Sequence, residues 1–503
     1  MKVLDYFRKK SIYPNADCGG AGICGKCKFI CKSVEFPVSE ADEKLLSKEE
    51  LKQGIRLACK SEIDDDVAST ISLNEFVPLW ITEESIDSKS GLESESMVEM
   101  PYSDDKSDVV YGIAIDMGTT TIAVCIVSIN MKAVIDECVV VNRGRSFGAD
   151  VISRIDAANM GGAAWLKETL LADINTAMDK LLLKNKIAIS KIRSIVIAGN
   201  TTMEHLLLGL DTNGLGKYPF VPDSVEMYKG NGRDVFVRDD LANIDVFVLP
   251  GISAFIGADI VAGIDYLGII NSKKPVLFVD LGTNGEMILG CGDKILATST
   301  AAGPAFEGVN ISCGVASIPG AIDIVKINKN TLRADYSTIK NQTPIGICGS
   351  GVIAVVSELL CYGILDENGT LSDVYFEKGY PIVGNICITQ GDIREFQKAK
   401  SAIRSGIEVL IKEYGIESCD IDKVYIAGGF GAGLNIVNAK KVGLLPELSC
   451  DVEIVGNTSL KGAISFLLHQ NNEKYENIKS GINEIVLANN ELFERIFIDN
   501  MLF

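Results

Sequence analysis

The sequence is poor in histidine, in positive charge and in long apolar runs. It contains 2 His among 503 residues, which excludes a His-rich metal site. Acidic residues outnumber basic ones by 67 to 48, and the net charge of −19 argues against nucleic-acid binding, because phosphate contacts need clustered Lys and Arg. No apolar run reaches the ~20 residues of a membrane-spanning helix. The N-terminal segment also lacks the apolar core of a signal peptide, so we expect a cytoplasmic protein that does not enter a membrane.

The length of the chain indicates several domains, and the cysteine distribution distinguishes the N-terminal one. A chain of 503 residues is too long for one ordinary core, and two to four domains are expected. The chain has 14 Cys, which are unlikely to be paired in a reducing compartment. Five of them crowd into residues 18–59, whereas the others are scattered from Cys125 to Cys450. This asymmetry marks the N-terminal segment as a candidate metal-binding domain.

The crowded cysteines follow a glycine-rich spacing. The segment reads C-x5-C-x2-C, and a fourth Cys follows after 31 intervening residues. Plant-type [2Fe–2S] clusters use the closely related spacing C-x4-C-x2-C…C. The interspersed glycines permit the positive φ angles that a loop needs to direct backbone N–H groups at sulfur atoms. The predicted iron ligands are Cys18, Cys24, Cys27 and Cys59.

Two other interpretations of the cysteines stay open at this point. A zinc ribbon usually shows two C-x2-C pairs, whereas Cys59 stands alone here. A set of buried free thiols would not need the glycine spacing. We interpret the fifth cysteine, Cys31, as a packing residue in a strand that starts near Lys28.

The N-terminal residues resemble the C-x5-C branch of the [2Fe–2S] ferredoxin family. Domains of that family normally open with a β-hairpin before the helix that leads into the cluster loop. Here the chain starts almost directly with the predicted helix, residues 3–10, so one edge of the sheet is missing or is supplied otherwise. The resemblance therefore implies a truncated β-grasp domain.

Residues 81–108 have the composition of a linker. Nine of them are acidic, two are basic, and the few apolar side chains follow neither a helical nor a strand period. Such a segment buries too little surface to offset its ordering entropy. We expect a flexible tether, which would also let a redox domain move between an electron donor and an acceptor.

After the linker, four apolar stretches each run into a turn rich in Gly, Thr or Asn. They lie at residues 112–121, 194–202, 276–285 and 424–433. Each predicts a short buried strand followed by a tight turn. Helical patterns lie between them, at residues 151–183 with an interruption at Gly161 and Gly162, and at residues 351–360. This alternation predicts an α/β fold.

Two of the turns carry the pattern Asp-x-Gly-Thr, at Asp116 and at Asp280. Glycine lets the backbone approach phosphate oxygens, while turn N–H groups and Thr hydroxyls donate hydrogen bonds to them. An Asp at a strand end can hold a water on Mg²⁺ or orient the attacking water, so Asp116 and Asp280 are the catalytic candidates. The Walker A motif is absent, which excludes a P-loop enzyme, and residues 428–433 lack the acidic partner of a dinucleotide fingerprint.

These turns resemble the three nucleotide loops of the acetate and sugar kinase/heat-shock protein/actin superfamily. Residues 116–121 resemble its first phosphate loop, 280–285 its second and 428–433 its adenosine loop. The resemblance implies two ribonuclease-H-like halves that close over ATP and Mg²⁺. The implied contacts to the nucleotide are Gly118, Thr119, Thr120, Thr121, Gly282, Thr283, Asn284, Gly285, Gly428, Gly429 and Gly431. The alternative is four ordinary strand–turn junctions in an unrelated α/β protein.

The combination of the two modules resembles the reductive activators of corrinoid-dependent methyltransferases and corrinoid iron–sulfur proteins. Further segments typical of that family lie at residues 142–154, 302–308 and 348–351. Longer members carry an additional middle segment where this chain has only the tether. The implied organisation is a ferredoxin-like domain at 1–80, an acidic linker at 81–108, and the halves of an actin-like ATPase at 109–270 and 271–503.

The resemblance implies ATP-dependent repair of a corrinoid cofactor. One electron passes from the [2Fe–2S] cluster to inactive Co(II) and regenerates Co(I) for methyl transfer. The implied partners are a corrinoid protein of a methyltransferase system and a low-potential ferredoxin or flavodoxin-like donor, with a homodimer as an open alternative to a monomer. A plant-type cluster has a potential of about −400 mV. Since the cobalt couple is expected to lie lower, ATP is the expected energy source.

Three other functions remain as alternatives. The first is an ATP-dependent activator of the 2-hydroxyacyl-CoA dehydratase type, which carries its cluster between two ATPase subunits; the separate N-terminal Cys set argues against it. The second is a small-molecule kinase with a regulatory iron–sulfur domain. The third is a non-enzymatic redox sensor or scaffold that only binds nucleotide.

For several other polar residues, a purely structural role competes with a functional one. Asp150 and Glu286 could orient a water or could have surface or helix-capping roles. Cys313 and Cys348 lie near glycine turns, but we favour packing, because buried free Cys is common. His205 lies in an apolar helical run and is expected to be a core histidine rather than a cobalt ligand.

Overall fold

The computed structural model describes residues 1–10, 12–79, 109–282, 284–308, 310–428 and 433–503. The predicted linker at 81–108 lies outside the described residues, as do Thr283, Gly429 and Gly431. None of the helices in the described part of the chain combines the length and the apolarity that crossing a membrane requires.

The N-terminal part is a small antiparallel sheet with helices packed against it. Its elements are α1 (Val3–Lys9), β1 (Lys28–Cys31), α2 (Glu40–Leu45), α3 (Lys48–Lys52), β2 (Arg56–Leu57), α4 (Asp65–Thr70) and β3 (Phe76–Pro78). The strand order is β2–β1–β3, and β1 is antiparallel to both neighbours. Phe7 of α1 packs edge-on against Phe29 and Phe76, which fastens the helix to the sheet. Cys31 packs against this core, as predicted.

The first half of the α/β part is built on a six-stranded sheet. Its elements are β4 (Tyr111–Met117), β5 (Thr121–Ser128), β6 (Ala133–Val141), α5 (Val151–Ala157), α6 (Ala163–Asn185), β7 (Ile192–Gly199), α7 (Thr201–Leu208), β8 (Tyr228–Asn231), α8 (Gly232–Phe236), β9 (Asp245–Val248) and α9 (Ala258–Leu267). The strand order is β6–β5–β4–β7–β9–β8. The first three strands are antiparallel, whereas β7 runs parallel to β4 and β9 parallel to β7.

The predicted interruption of the long helical pattern is confirmed. Between α5 and α6 the helix widens into a π-helical turn at Ala158–Gly162, and Gly161 has a φ of 97°. Such widened turns are frequently associated with functional sites.

The second half repeats the arrangement of the first. Its elements are β10 (Val276–Leu281), β11 (Gly285–Cys291), β12 (Lys294–Thr300), β13 (Ala321–Ile327), β14 (Ala334–Thr338), β15 (Gly346–Ile347), α10 (Gly349–Cys361), α11 (Asp373–Phe376), β16 (Tyr380–Val383), β17 (Ile386–Ile388), α12 (Gln390–Tyr414), β18 (Lys423–Ala427), α13 (Ile436–Lys441), β19 (Asp451–Gly456), α14 (Thr458–His469), α15 (Asn472–Gly481), β20 (Ile482–Glu484) and α16 (Glu491–Asp499). The main sheet has the order β19–β18–β10–β11–β12–β20.

The two main sheets share one topology. In each, an antiparallel meander of three strands is followed by two parallel strands beside the first strand: β6–β5–β4–β7–β9 in one half and β12–β11–β10–β18–β19 in the other. This repeat confirms the predicted α/β fold with two similar halves. Strands β4, β7, β10 and β18 are the four strands that the sequence predicts. Because the carboxyl ends of parallel strands lie at one edge of a sheet, the turns after them face the space between the halves.

The halves are joined by two helices whose contact depends on small residues. Helix α9 of the first half packs against α14 of the second. A Cβ added to Gly462 of α14 would lie 2.2 Å from the carbonyl oxygen of Ala262 in α9. No side chain fits at that distance, so glycine allows the closest approach of the two helices. The helices lie above a core that contains Val196 of one sheet and Phe278 of the other.

Candidate functional site

The four predicted cysteine ligands converge on a glycine-rich loop between α1 and β1. Gly19, Gly20, Gly22 and Gly25 have φ angles of 61°, 98°, 80° and 67°, as the glycine pattern predicts. Backbone N–H groups of residues 22–24 donate to the sulfur of Cys18 and stabilise its thiolate. The loop is therefore shaped to surround charged sulfur atoms, as an anionic cluster requires.

The four sulfur atoms form two pairs. The thiol of Cys24 donates to Cys18, which lowers the pKa of Cys18 to about 4 and raises that of Cys24. Cys27 and Cys59 interact in the same way, so that the pKa of Cys27 is lowered and that of Cys59 is raised. A backbone hydrogen bond of 2.9 Å from Ala58 N to Cys27 O holds the second pair together. The loop and the distant Cys59 thus form one constellation.

This pairing fits a two-iron cluster better than a single ion. A structural zinc site needs four ligands around one ion. A [2Fe–2S] cluster is held by four cysteine thiolates shared between its two irons, so two sulfur pairs are the arrangement it needs. When bound there, such a cluster supplies one-electron redox chemistry.

The first predicted phosphate loop is the turn between β4 and β5. A Cβ at Gly118 would lie 2.7 Å from the carbonyl oxygen of Thr121, so the turn requires glycine. The side chain of Asn142 donates to Gly118 O at 2.9 Å, and that of Asn200 donates to Thr119 Oγ1 at 3.0 Å. Contacts from two other parts of the first half therefore fix the shape of this turn.

The second predicted phosphate loop abuts the start of the predicted adenosine loop. Gly282 N donates to Asn284 O at 3.0 Å and closes the turn between β10 and β11. Gly428 has a φ of 94°, and a Cβ there would lie 2.7 Å from Asp280 Oδ1 and 2.3 Å from Leu281 O. The structure thus brings Asp280 and Gly428 together at the end of neighbouring parallel strands.

Carboxyl groups from both halves meet in the cleft between these loops. Burial raises the pKa of Asp116, and burial with the nearby Asp259 and Asp116 raises the pKa of Asp280 to about 8. Burial and Asp116 also raise the pKa of Asp259 to about 7. Burial, Asp259 and Asp280 raise the pKa of Glu286 well above its ordinary range. Mutual repulsion of this kind favours a bound cation with oxygen ligands.

Asp116 also links the two halves. Its carboxylate accepts hydrogen bonds of 2.7 Å from the side chains of Asn457 and Ser459, which lie at the start of α14. Asp116 belongs to the first half and α14 to the second. The candidate catalytic residue is therefore part of the seam along which the halves meet.

Sequence reasoning missed two acidic residues of the cleft. Asp259 lies in the first turn of α9, and Glu204 is buried in α7 beside it, where burial and Asp259 raise its pKa. The available signal was Gly257, two residues before Asp259. A Cβ at Gly257 would lie 2.6 Å from Asn200 Cα, so this glycine brings the start of α9 against the turn after β7.

Other candidates have capping or packing roles, as their non-functional interpretations predict. Asp150 caps α5 by accepting hydrogen bonds of 2.8 Å from the backbone and the side chain of Ser153. His205 is buried, and its ring is held by Thr201 O and Asp223 N. The thiols of Cys313 and Cys348 point to carbonyl oxygens of Cys387 and Ile322.

Three family models match successive parts of the chain. The 2Fe-2S iron-sulfur cluster binding domain matches residues 1–64. The RACo middle region matches residues 111–272, and the C-terminal domain of RACo, described as the ASKHA domain, matches residues 274–503.

Named relatives are similar to most of the chain. The corrinoid activation enzyme RamQ of Eubacterium limosum is 31 % identical over 435 residues, which cover 81 % of this chain and 72 % of the relative. The [Co(II) methylated amine-specific corrinoid protein] reductase of Methanosarcina barkeri is 29 % identical over 391 residues, 72 % of this chain and 70 % of the relative. A solved structure of a reductive activator for corrinoid,iron-sulfur protein superposes with a TM-score of 0.71 at 27 % identity, covering 100 % of this chain and 95 % of its own.

The cysteine assignment predicts which substitutions abolish the cluster. Replacing Cys24 or Cys59 by Ala removes one sulfur from a pair, and we expect the visible absorption of the [2Fe–2S] cluster to be lost. Cys31→Ala is the matched control, because Cys31 is close in sequence but packs against the core. We expect it to retain two irons per chain by metal analysis. A Cys31 variant without iron, or zinc in place of iron in the anaerobically purified protein, would contradict the assignment.

The raised pKa of Asp280 predicts a pH-dependent stability. A carboxyl whose pKa rises from 3.8 to about 8 on folding destabilises the protein increasingly as the pH rises between these values. Asp280→Asn removes this effect. Without nucleotide, we expect its free energy of unfolding to exceed the wild-type value by at least about 1 kcal/mol more at pH 8 than at pH 5, the equivalent of one pKa unit.

Denaturant unfolding at a series of pH values measures this difference. Asp239→Asn is the control, since Asp239 is 87 % exposed in its ion pair with Arg233. A stability gain in Asp280→Asn that does not change with pH would show that the Asp280 carboxyl is not held in an unfavourable environment.

Proposed function

The chain belongs to the family of corrinoid activation enzymes, and on this premise we propose that it reduces the corrinoid cofactor of a methyltransferase system. One electron passes from the [2Fe–2S] cluster to Co(II) and yields Co(I), while ATP and water give ADP and phosphate. The observation that carries this proposal is the presence, in one chain, of the paired cysteine sulfurs and of the acidic cleft beside the two predicted phosphate loops.

In this proposal, different loops of the cleft bind different parts of the nucleotide. Turn N–H groups and hydroxyls at Gly118, Thr119, Thr120 and Thr121 bind one part of the phosphate chain. Gly282, Thr283, Asn284 and Gly285 bind another part, and Gly428, Gly429 and Gly431 lie against the adenosine. These assignments rest on the resemblance of the loops and on the meeting of Asp280 with Gly428.

Asp116 and Asp280 would hold Mg²⁺, which would supply positive charge beside the phosphate chain, and the same two carboxylates would orient the attacking water. A divalent cation offsets the repulsion among the cleft carboxyl groups, which is the reason to expect it there. Asp116 keeps its hydrogen bonds to Asn457 and Ser459, so a movement of the second half changes the surroundings of its carboxylate. A closure of the halves around a nucleotide would therefore move the hydrogen-bond partners of Asp116.

The energetics explain why a nucleotide is needed. A plant-type cluster has a potential of about −400 mV. Each 59 mV that the cobalt couple lies below this value costs roughly a factor of ten in the equilibrium for one electron. ATP can offset this cost only if one conformation of the protein binds it, or the corrinoid partner, more tightly than the other.

The domain boundaries, the electron donor, the oligomeric state and the compartment are also part of this proposal. The domains extend over residues 1–80, 81–108, 109–270 and 271–503, with residues 81–108 as the tether. A low-potential ferredoxin or flavodoxin-like protein supplies the electron, and the chain acts alone or as a homodimer. We place the reaction in the cytoplasm, since the cysteines outside the predicted ligand set are free thiols, as a reducing compartment would leave them.

Anaerobic activation of a Co(II) corrinoid protein tests the proposed function. The reduced chain is mixed with the corrinoid protein with Mg-ATP, with Mg-ADP or without nucleotide, and Co(I) is followed by its absorption. We expect Co(I) only with Mg-ATP, and none with Asp280→Ala, because the second phosphate loop then lacks its carboxylate. Equal yields of Co(I) with and without ATP would contradict the proposal.

A further inference from the structure

The cluster loop lies against one segment of the first ATPase half, residues 142–154, which we term the docking segment. Arg145 of this segment binds the carboxylate of Asp17 with an N–O distance of 3.1 Å. Ala149 N donates to the backbone carbonyl of Asp17 at 3.0 Å. A Cβ added to Gly19 would lie 2.6 Å from Phe147 O. Asp17 and Gly19 flank the ligand Cys18, so the docking segment contacts the loop beside an iron ligand.

Aromatic and cationic contacts extend this interface on both sides. The guanidinium of Arg8 in α1 lies 4.2 Å from the ring centre of Phe147, and Arg8 also donates to Ser146 O. Tyr13 packs against the core of the first half, with the guanidinium of Arg143 5.0 Å from its ring centre. Cation–π contacts and ion pairs of this kind orient two surfaces as well as hold them together.

The other side of the docking segment holds the first phosphate loop. Asn142 donates to Gly118 O through its side chain at 2.9 Å and to Thr120 O through its backbone at 3.0 Å. Arg154, which is fully buried, donates to Thr119 O between them. Three successive carbonyl groups of the phosphate loop therefore accept hydrogen bonds from the two ends of the docking segment.

Bonds within the docking segment connect its two sides. Gly144 N donates to the Asn142 side chain at 3.0 Å, and Phe147 N donates to Gly144 O at 2.9 Å. Arg154 Nε donates to Gly148 O at 2.9 Å. The residues that contact the ferredoxin part are thus one or two hydrogen bonds away from those that hold the phosphate loop.

We propose that the docked ferredoxin part positions the first phosphate loop through Arg145 and Asp17, so that docking and nucleotide binding strengthen each other. The inference rests on the proposed function, because it requires the loop to bind nucleotide. Fixing the carbonyl groups of Gly118 and Thr119 fixes the peptide planes that carry the N–H donors of the loop. Two binding events coupled in this way raise each other's affinity by the same factor.

The consequence for the reaction is a defined position of the cluster when nucleotide is bound. The cysteine loop is then held at the first half, while Ile23 of the same loop stays 74 % exposed. Arg145 and Asp17 are positioning residues in this scheme, since they touch neither the nucleotide nor the iron-binding sulfurs.

Nucleotide affinity in variants of the full-length, cluster-loaded chain tests the proposal. Titration calorimetry with a non-hydrolysable ATP analogue and Mg²⁺ gives the dissociation constant. We expect Arg145→Ala to weaken binding by a factor of about 5 to 100, the range of ordinary allosteric coupling, and Arg145→Lys to restore most of it. Arg233→Ala is the matched control, because Arg233 forms an exposed ion pair with Asp239 in the same half.

Tyr13→Ala gives a second test from the ferredoxin side of the interface. The Tyr13 side chain contacts Arg143 of the docking segment and Thr169, so a loss of nucleotide affinity in this variant is expected to reach the phosphate loop through the docking segment. Both variants are first shown to retain two irons per chain. Wild-type affinity in either variant overturns the proposal.

Hydrogen exchange measures the reciprocal effect. The amide of Ala149 donates directly to Asp17 O, so its exchange rate reports docking. We expect the ATP analogue to slow this exchange in the wild type and in Arg233→Ala but not in Arg145→Ala. Equal exchange with and without the analogue in the wild type overturns the inference. If the wild type binds no nucleotide at all, the proposed function itself fails; normal binding that the variants leave unchanged removes only the inference.

Discussion

Carboxyl groups that crowd together at the seam between the two halves of the α/β part are the constraint on which the rest of the structure depends. Asp116, Asp259, Asp280 and Glu286 come from both halves. Burial raises the pKa of each, and neighbouring carboxylates raise it further for Asp259, Asp280 and Glu286. Such a group of carboxyl groups is unfavourable when ionised and becomes more favourable when a cation lies among them. A cation bound in the cleft would therefore stabilise the contact between the halves as well as the carboxyl groups themselves.

The seam is also where the packing of the halves is closest. Gly462 brings α14 against Ala262 of α9, and the same helix begins with the residues that bind Asp116. A small displacement of α14 therefore changes both the contact between the halves and the surroundings of a candidate catalytic carboxylate. The first phosphate loop is in turn bonded to the segment that contacts the cluster loop, so the two chemical sites share one continuous set of contacts.

Local patterns in the sequence predicted the elements and the ligand types, because those depend on nearest neighbours. The spacing of Cys18, Cys24 and Cys27 with their glycines indicated the cluster loop, and each apolar stretch with its turn became a strand and a loop. Contacts between distant parts of the chain left no such pattern. Asp17 and Arg145 are 128 residues apart, and Asp116 and Ser459 are 343 apart. Asp259 was missed for the same reason, since only the fold places it opposite Asp116.

In the proposed function, one electron leaves the cluster for cobalt only when nucleotide is bound. A single-turnover experiment with the fully reduced chain and excess Co(II) corrinoid protein tests it most directly, with the paramagnetic signal of the reduced cluster and the Co(II) signal recorded on frozen samples. We expect both signals to persist until Mg-ATP is added and then to disappear in equal amounts, one cluster oxidised for each Co(II) lost. Loss of the Co(II) signal while the cluster stays reduced would contradict the proposed function, as would equal loss of both signals before ATP is added.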